Sequence, residues 1–199
     1  MNPEDAKELS IMDKSTATRV DGTELNTPTE MLLPRSALII KAFRSGVPAA
    51  VSNHPLLTVA AKLAAHHQQQ WIVEEISLDT EAGDHFLTAA KRSIDSIGLQ
   101  RLRLIEGINA WAARRVPSRP GTSLHTETLG SIFDRLAIAW VRSNRMIDIA
   151  TPDDRKLAQL ALQQLAGLAD AYDDLVRDVV GGRRRLPNWR EVQSHAHSL

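Results

Sequence analysis

Apolar residues recur along the chain at the three- to four-residue spacing of an α-helix. The spacing predicts four long helices, which lie in the following segments: His54 to about Ile76, Asp84 to Trp111, near Thr126–Ser131 to Ile147, and Thr151 to Val179. A shorter apolar segment around Ile39 predicts a brief helix that docks on them. No stretch alternates apolar and polar residues as a half-buried strand does. The pattern therefore predicts an all-α protein.

Residues that favour helix ends support these boundaries. Pro55 and Pro152 stand where a first helical turn is expected, a position at which the missing N–H costs nothing. Gly181 and Gly182 end the last apolar pattern. The third long helix carries apolar residues on two opposite faces, so we expect it at the centre of the fold. The prediction is a bundle of four long helices with short flanking helices.

The first thirty residues differ from the rest of the chain. They lack helical spacing and carry seven acidic residues against three basic ones. We expect residues 1–30 to form a mobile acidic arm and residues 31–199 to form a single helical-bundle domain. This start has no apolar segment of the kind found in signal peptides.

Composition narrows the possible functions. The chain has 199 residues, 24 basic and 24 acidic, so no overall charge draws it to nucleic acid or to an anionic membrane. The absence of cysteine excludes disulfides, thiolate metal sites and a cysteine nucleophile. The longest apolar run, Leu136 to Val141, is far below the roughly 20 residues that cross a bilayer. We expect a cytoplasmic protein without membrane or nucleic-acid partners.

One arginine interrupts the apolar face of the longest predicted helix. Arg101 lies within about 20° of Ile94 and Ile105 on a helical projection, in the middle of the face expected to be buried. A buried guanidinium needs a partner. That partner is either a carboxylate in a structural ion pair or an anionic ligand. Gly98, one turn earlier, predicts that another segment approaches closely there.

Carboxylates accompany this arginine. Asp134 shares a helical face with Ile138 and Val141, so burial either raises its pKa or requires a nearby cation such as arginine. Lys91, Asp95, Glu106 and Asn109 occupy a strip beside the apolar face of the longest helix. Such residues inside a bundle can move a proton or hold a small anion, and they can equally form a structural polar network.

Two other groups of residues carry less information. The chain has no Glu-x-x-His pair and no His-x-x-x-His spacing, so we expect no metal and no other cofactor. The run Arg183, Arg184 and Arg185 follows a helix rich in aspartate, and we expect these charges to neutralise each other. A regulator that binds nucleic acid through this run is the less favoured interpretation.

Four motifs in the middle of the chain match a known pattern. They are Trp71-Ile-Val-Glu74-Glu75, Lys91-Arg92-Ser-Ile94-Asp95, Ile105-Glu106-Gly-Ile108-Asn109, and the segment from Glu127 to Leu136 that contains Asp134-Arg135. Over about residues 50–150, the chain resembles the bacterial family called domain of unknown function 4254. That family reads W-x-x-E-D, K-R-x-I-D, I-E-x-I-D and E-T-x-G-x-x-x-D-R-L, in this order. The resemblance implies a polar core formed by Glu74, Glu75, Lys91, Arg92, Asp95, Glu106, Glu127, Asp134 and Arg135.

The chain also departs from that pattern. Ile76-Ser77 replaces an expected Ala-Arg, and the polar run N-Q-x-R-N-D corresponds here to residues 98–103, Gly-Leu-Gln-Arg-Leu-Arg. Glu75 and Asn109 each replace an aspartate of the pattern. The chain therefore keeps the frame of the family but loses part of the polar lining, which suits either a diverged enzyme or a non-catalytic subunit.

The resemblance implies a function in the biosynthesis of antibiotics, as a subunit paired with itself or with a related helical chain. It further implies a small anionic intermediate and chemistry without a cofactor, such as closure of an aziridine ring. In that chemistry a carboxylate removes a proton from an amine and an arginine stabilises the departing anion. The catalytic candidates are Asp95, Asp134 and Glu75, and the candidates for binding the substrate are Lys91, Arg92, Arg101, Glu106, Arg135 and Trp71. The alternative is a binding or scaffold subunit that supports a catalytic relative.

Overall fold

A computed structural model describes residues 32–45, 54–78, 83–147 and 152–188. It confirms the all-α prediction, with five α-helices in these residues: α1 (Ser36–Ser45), α2 (Pro55–Ser77), α3 (Asp84–Arg115), α4 (Leu129–Ile147) and α5 (Pro152–Val180). The predicted helix boundaries agree with these bounds to within a few residues. The predicted arm, residues 1–30, lies outside the described residues.

Side chains cap two of the helices as their sequences suggest. At the start of α2, His54 Nδ1 accepts a hydrogen bond from the Leu56 N–H at 3.3 Å, next to Pro55 in the first turn. At the start of α4, Thr128 Oγ1 accepts from the Ser131 N–H at 3.2 Å. Each cap satisfies a backbone donor that the helix leaves without a partner.

The predicted central position of α4 is confirmed. This helix contacts each of the other four described helices, and its buried side chains include Phe133, Leu136, Trp140 and Val141. Phe133 meets Tyr172 of α5 edge to face, with ring centroids 5.8 Å apart. The core is therefore built around α4, which explains why its sequence is apolar on two sides.

The N-terminal helix α1 is fixed to α5 by polar contacts. Ser36 donates from its backbone N–H to Asp173 Oδ1 at 2.9 Å and from its hydroxyl to Oδ2 at 2.8 Å. The buried Tyr172 hydroxyl donates to the Pro34 carbonyl oxygen at 2.8 Å. Because a carboxylate favours a helix N-terminus, Asp173 holds the start of α1 against α5.

Two short strands are absent from the sequence prediction. Strand β1 (Ser123–Leu124) pairs in parallel with β2 (Arg184–Arg185), and the His125 N–H extends the pairing to the Arg185 carbonyl at 2.8 Å. Strands of two residues contain no alternating pattern, so periodicity cannot detect them. The pairing ties the loop after α3 to the segment after α5.

The predicted close approach at Gly98 is wrong. Gly98 is exposed, and, apart from the backbone of its own helix, no described atom lies within 4 Å of the position that a Cβ would occupy there. The close approach occurs instead at Gly130, where a Cβ would overlap the Ile105 carbonyl oxygen and lie 2.8 Å from Asn109 Oδ1. The Gly130 N–H donates to that same Asn109 Oδ1 at 2.8 Å. Only a glycine lets α4 begin this close to α3.

These two glycines predict opposite effects of the same substitution. Gly130→Ala should lower the free energy of unfolding by about 1–3 kcal/mol, because the new methyl group forces α4 away from α3. Gly98→Ala should raise it by about 0.5–1 kcal/mol, because alanine favours a helix and meets only solvent. Urea denaturation of both variants measures the difference, and equal effects at the two positions would contradict this account of the α3–α4 contact.

Candidate functional site

The centre of the candidate site is an ion pair between α3 and α4. Arg101 Nη2 lies 2.8 Å from Asp134 Oδ2, and Arg101 Nε donates to Asp134 Oδ1 at 3.2 Å. This two-point geometry is the strongest one available to an arginine and a carboxylate. Each side chain is about one fifth exposed. The partner that the sequence required for Arg101 is therefore a carboxylate of this same chain.

Two residues of α2 complete the arrangement. His67 Nε2 lies 2.8 Å from Asp134 Oδ1, and the His67 side chain is only 3% exposed. Gln70 Oε1 accepts a hydrogen bond from Arg101 Nη1 at 2.9 Å. An ionised carboxylate only accepts hydrogen bonds, so His67 donates through Nε2. We refer to Arg101, Asp134, His67 and Gln70 as the polar network, which joins three helices.

The surroundings keep Asp134 ionised. Burial by itself would raise the pKa of Asp134, but hydrogen bonds from His67 and Arg101, together with the charge of Arg101, outweigh burial and lower the pKa below its usual value. Burial, and then the charge of Arg101, lower the pKa of the neighbouring His66. Both Asp134 oxygens already accept hydrogen bonds, so this carboxylate is poorly placed to take a proton from a substrate.

The remaining predicted site residues lie outside this network. Four of them are exposed along α3: Lys91, Arg92, Asp95 and Glu106. On α2, the half-buried Trp71 follows His67 by one turn and donates from Nε1 to the exposed Glu75. The structure thus joins Arg101 to Asp134 and Trp71 to Glu75, whereas Lys91, Arg92, Asp95 and Glu106 face solvent. Of the positions that the family pattern assigns to one polar core, Asp134 belongs to the polar network and Glu74 accepts a hydrogen bond from Gln70 Nε2 at 2.7 Å, while the exposed positions of α3 lie apart from both.

Arg135 points to a different neighbour from that of Asp134. Its Nη2 lies 3.1 Å from Glu127 Oε1, and the two side chains are 56% and 31% exposed. Both residues line a pocket of about 120 Å³ between α4 and α5. The motif that carries Asp134-Arg135 therefore contributes to two sites, because successive residues of a helix point about 100° apart.

Sequence reasoning did not select His67 or Gln70 as site residues. His67 follows Leu56, Ala60 and Leu63 on the apolar face of α2. A polar residue on a buried face needs a hydrogen-bond partner, and this requirement is the feature of the sequence that indicates a role for His67. Gln70 lies on the edge of the same helix, where glutamine is common at solvent-exposed positions. Nothing in its position distinguishes it before the fold is known.

The three consecutive arginines after α5 contact acidic and carbonyl oxygens. Arg183 Nε donates to Asp178 Oδ1 at 2.9 Å, and Arg184 Nε lies 3.7 Å from the other oxygen of the same carboxylate. Arg185 Nε donates to the Thr122 carbonyl at 3.3 Å. The expected neutralisation is thus confirmed for Arg183 and Arg184. In the described part of the chain, no group of three or more histidine or acidic residues could hold a metal ion.

The polar network predicts a pH dependence of stability. Because folding lowers the pKa of Asp134, its stabilising effect is present above the unfolded pKa, near 4, and is lost as the pH falls through the lower folded value. Asp134→Asn should lower the free energy of unfolding at pH 7 by about 1–3 kcal/mol and weaken its decline below pH 4. Denaturant titrations from pH 2.5 to 7 measure both effects.

The exposed Asp95 provides the matched control. Asp95→Asn makes the same chemical change on the solvent side of α3 and should alter the free energy of unfolding by less than about 0.5 kcal/mol. If Asp134→Asn keeps the full acid dependence of the original protein, the network does not hold Asp134 in its ionised form.

Comparison with known proteins identifies a family. None of the helices in the described ranges combines the length and the apolar character needed to cross a lipid bilayer. No curated protein and no solved structure matches the chain. A family model described as "Protein of unknown function (DUF4254)" matches residues 57–188, a segment that begins in the first turn of α2 and contains α3, α4 and α5. Because the match covers more than half of the chain, the protein belongs to this family.

Proposed function

We propose that the protein is a subunit of a homo- or heterodimer that binds a small anionic intermediate of natural-product biosynthesis. The observation that carries this proposal is a set of exposed apolar side chains at the end of α2, at the start of α3 and on either side of Arg101 in the sequence. Among the described residues, eleven large apolar side chains are exposed, and seven of them lie between Ile72 and Leu102: five near the end of α2 and the start of α3, and two, Leu99 and Leu102, beside Arg101. Exposed apolar surface of this kind is typical of a protein–protein interface.

The apolar faces of α2 and α3 continue past the point where the core ends. Phe86 precedes the buried Ala90 and Ile97 by four and eleven residues, so it shares their helical face, yet it is 43% exposed. Leu78, directly after α2, is 78% exposed. A second helical chain placed against this end would bury residues that belong to the core by their position on the helix. This argument favours a related helical subunit as the partner.

The polar network supplies donors for an anion beside that surface. An arginine has five N–H donors, and the described contacts of Arg101 use three of them, two to Asp134 and one to Gln70. The remaining donors, on a side chain that is one fifth exposed, suit a carboxylate, sulfate or phosphate group. Trp71, one turn after His67 on α2, offers an apolar ring next to this group.

The chemistry we propose is ring closure or elimination without a cofactor, as in formation of an aziridine. The amine nitrogen forms a bond to carbon, the bond from that carbon to the leaving group breaks, and a carboxylate takes the amine proton. Arg101 stabilises the departing anion. The base is Asp95 or Glu75 rather than Asp134, since the oxygens of Asp134 are occupied and its pKa is lowered.

A second candidate function is a non-catalytic subunit that supports a catalytic relative. The contacts of Asp134 favour it, because both oxygens of this carboxylate, the one in the polar network, accept hydrogen bonds and its pKa is lowered. Asp95 and Glu75 are both exposed in this chain. In this alternative, the chain positions the substrate or stabilises the partner, and the partner provides the base.

The dimer predicts that charge at the free end of α3 disrupts assembly. Leu87→Glu should weaken association at least tenfold, because it places a carboxylate in apolar contact with the partner. Leu124→Glu, on β1 beyond the other end of α3, changes a residue of similar exposure, 51% against 39% for Leu87, and should leave association intact. Sedimentation equilibrium of the protein with its co-purifying partner measures both. A monomer at every concentration, with no co-purifying chain, would refute the dimer.

The proposed anion site at Arg101 leads to a second prediction, which does not depend on the strength of the dimer. Native mass spectrometry of the assembly from its own host should detect a retained small anion, and Arg101→Gln should lose it while the mass of the dimer is kept. Arg103→Gln removes a charge from an exposed residue of the same helix and should retain the anion. Equal retention in the two variants would show that Arg101 does not bind it.

A further inference from the structure

A second potential binding site lies on the opposite side of α4 from the polar network. It is the pocket of about 120 Å³ between α4 and α5. Its floor is apolar and is formed by Ile132, Leu136, Leu168 and Leu175, with Tyr172 beside them, and the exposed Ala171 also lines the pocket. The Tyr172 hydroxyl donates to Pro34, so Tyr172 offers its ring rather than its polar group. A floor of this size and composition suits an aliphatic group of about four to six carbons.

The rest of the pocket lining carries both signs of charge. Glu127 and Arg135 line it together with His125, and the two charged side chains are joined by one contact of 3.1 Å between Arg135 Nη2 and Glu127 Oε1. His125 Nδ1 lies 3.0 Å from the Glu127 carbonyl oxygen and 3.1 Å from the Glu127 backbone nitrogen, so these contacts hold the ring at the edge of the pocket in either tautomer.

The ion pair is suited to exchange partners with a ligand. Glu127 is 31% exposed and Arg135 is 56% exposed, and pairs this accessible contribute little to stability. A ligand that carries both a carboxylate and an ammonium group can replace the one contact by two, the carboxylate on Arg135 and the ammonium on Glu127. A ligand with only one of these charges leaves the other protein side chain without its partner.

From these observations we propose that the α4–α5 pocket binds a free zwitterionic α-amino acid with a branched aliphatic side chain, such as leucine. The side chain occupies the apolar floor, the carboxylate binds Arg135, and the ammonium group binds Glu127. The site is separate from Arg101 and does not depend on the function proposed above. It gives the E-T-x-G-x-x-x-D-R-L motif a second use, with Asp134 on one side of α4 and Glu127 and Arg135 on the other.

Calorimetric titration with four small molecules tests the three parts of this recognition. L-Leucine should bind. 4-Methylpentanoate lacks the ammonium group and isoamylamine lacks the carboxylate, so each should bind at least tenfold more weakly than leucine. Glycine keeps both charges but has no side chain for the floor, and it should show no binding. Binding of 4-methylpentanoate as tight as that of leucine would overturn the role of Glu127, and no binding of leucine at millimolar concentration would overturn the proposal.

Substitutions in the pocket then locate the site. Ala171→Leu adds three carbons to the pocket lining and should abolish leucine binding, while Glu127→Gln and Arg135→Gln should each weaken it at least tenfold. Arg142→Gln changes an exposed arginine of α4 outside the pocket lining and should leave binding unchanged. Thermal unfolding of each variant verifies that it is folded. If leucine binds a folded Ala171→Leu variant as tightly as the original protein, the ligand occupies another site.

Discussion

The carboxylate of Asp134 must be paired, because it lies on the central helix α4 among buried apolar side chains, and an unpaired buried charge costs several kcal/mol. Its partners come from two other helices: His67 of α2 and Arg101 of α3. This requirement fixes the position of α4 along the axes of α2 and α3, since the hydrogen bonds form at only one relative position of the three helices. Apolar contacts hold the helices together with less positional discrimination, because they are not directional.

A second polar contact joins α3 and α4, two turns along α3 from Arg101 and one turn along α4 from Asp134. Asn109 of α3 accepts from the Gly130 N–H at the start of α4, and Gly130 has no side chain to obstruct the approach. Together with Asp134, it defines the line along which α4 crosses α3. The family motif from Glu127 to Leu136 therefore contains residues that build the fold as well as residues that line a pocket.

This double use limits the chemistry of the network. A carboxylate that holds three helices together is kept ionised and occupied, and both conditions oppose action as a general base. Arg101 is different, because a guanidinium can pair with Asp134 and still present donors elsewhere. The surface next to it is apolar and uncovered in this chain. These features support the proposal that Arg101 binds an anion at an interface between subunits, and they argue against Asp134 as a general base.

The sequence by itself determined the helices, because the apolar spacing, Pro55, Pro152 and the paired glycines act locally and need no distant partner. It also determined that Arg101 and Asp134 each required a partner. Only the tertiary structure decided that they are partners of each other, that His67 and Gln70 join them, and that Asp95 faces solvent. The tertiary structure also distinguishes the two glycines: both lie within helices, but only Gly130 is in close contact with another helix. Spacing along one helix specifies a face, whereas pairing across helices depends on packing between segments distant in the chain.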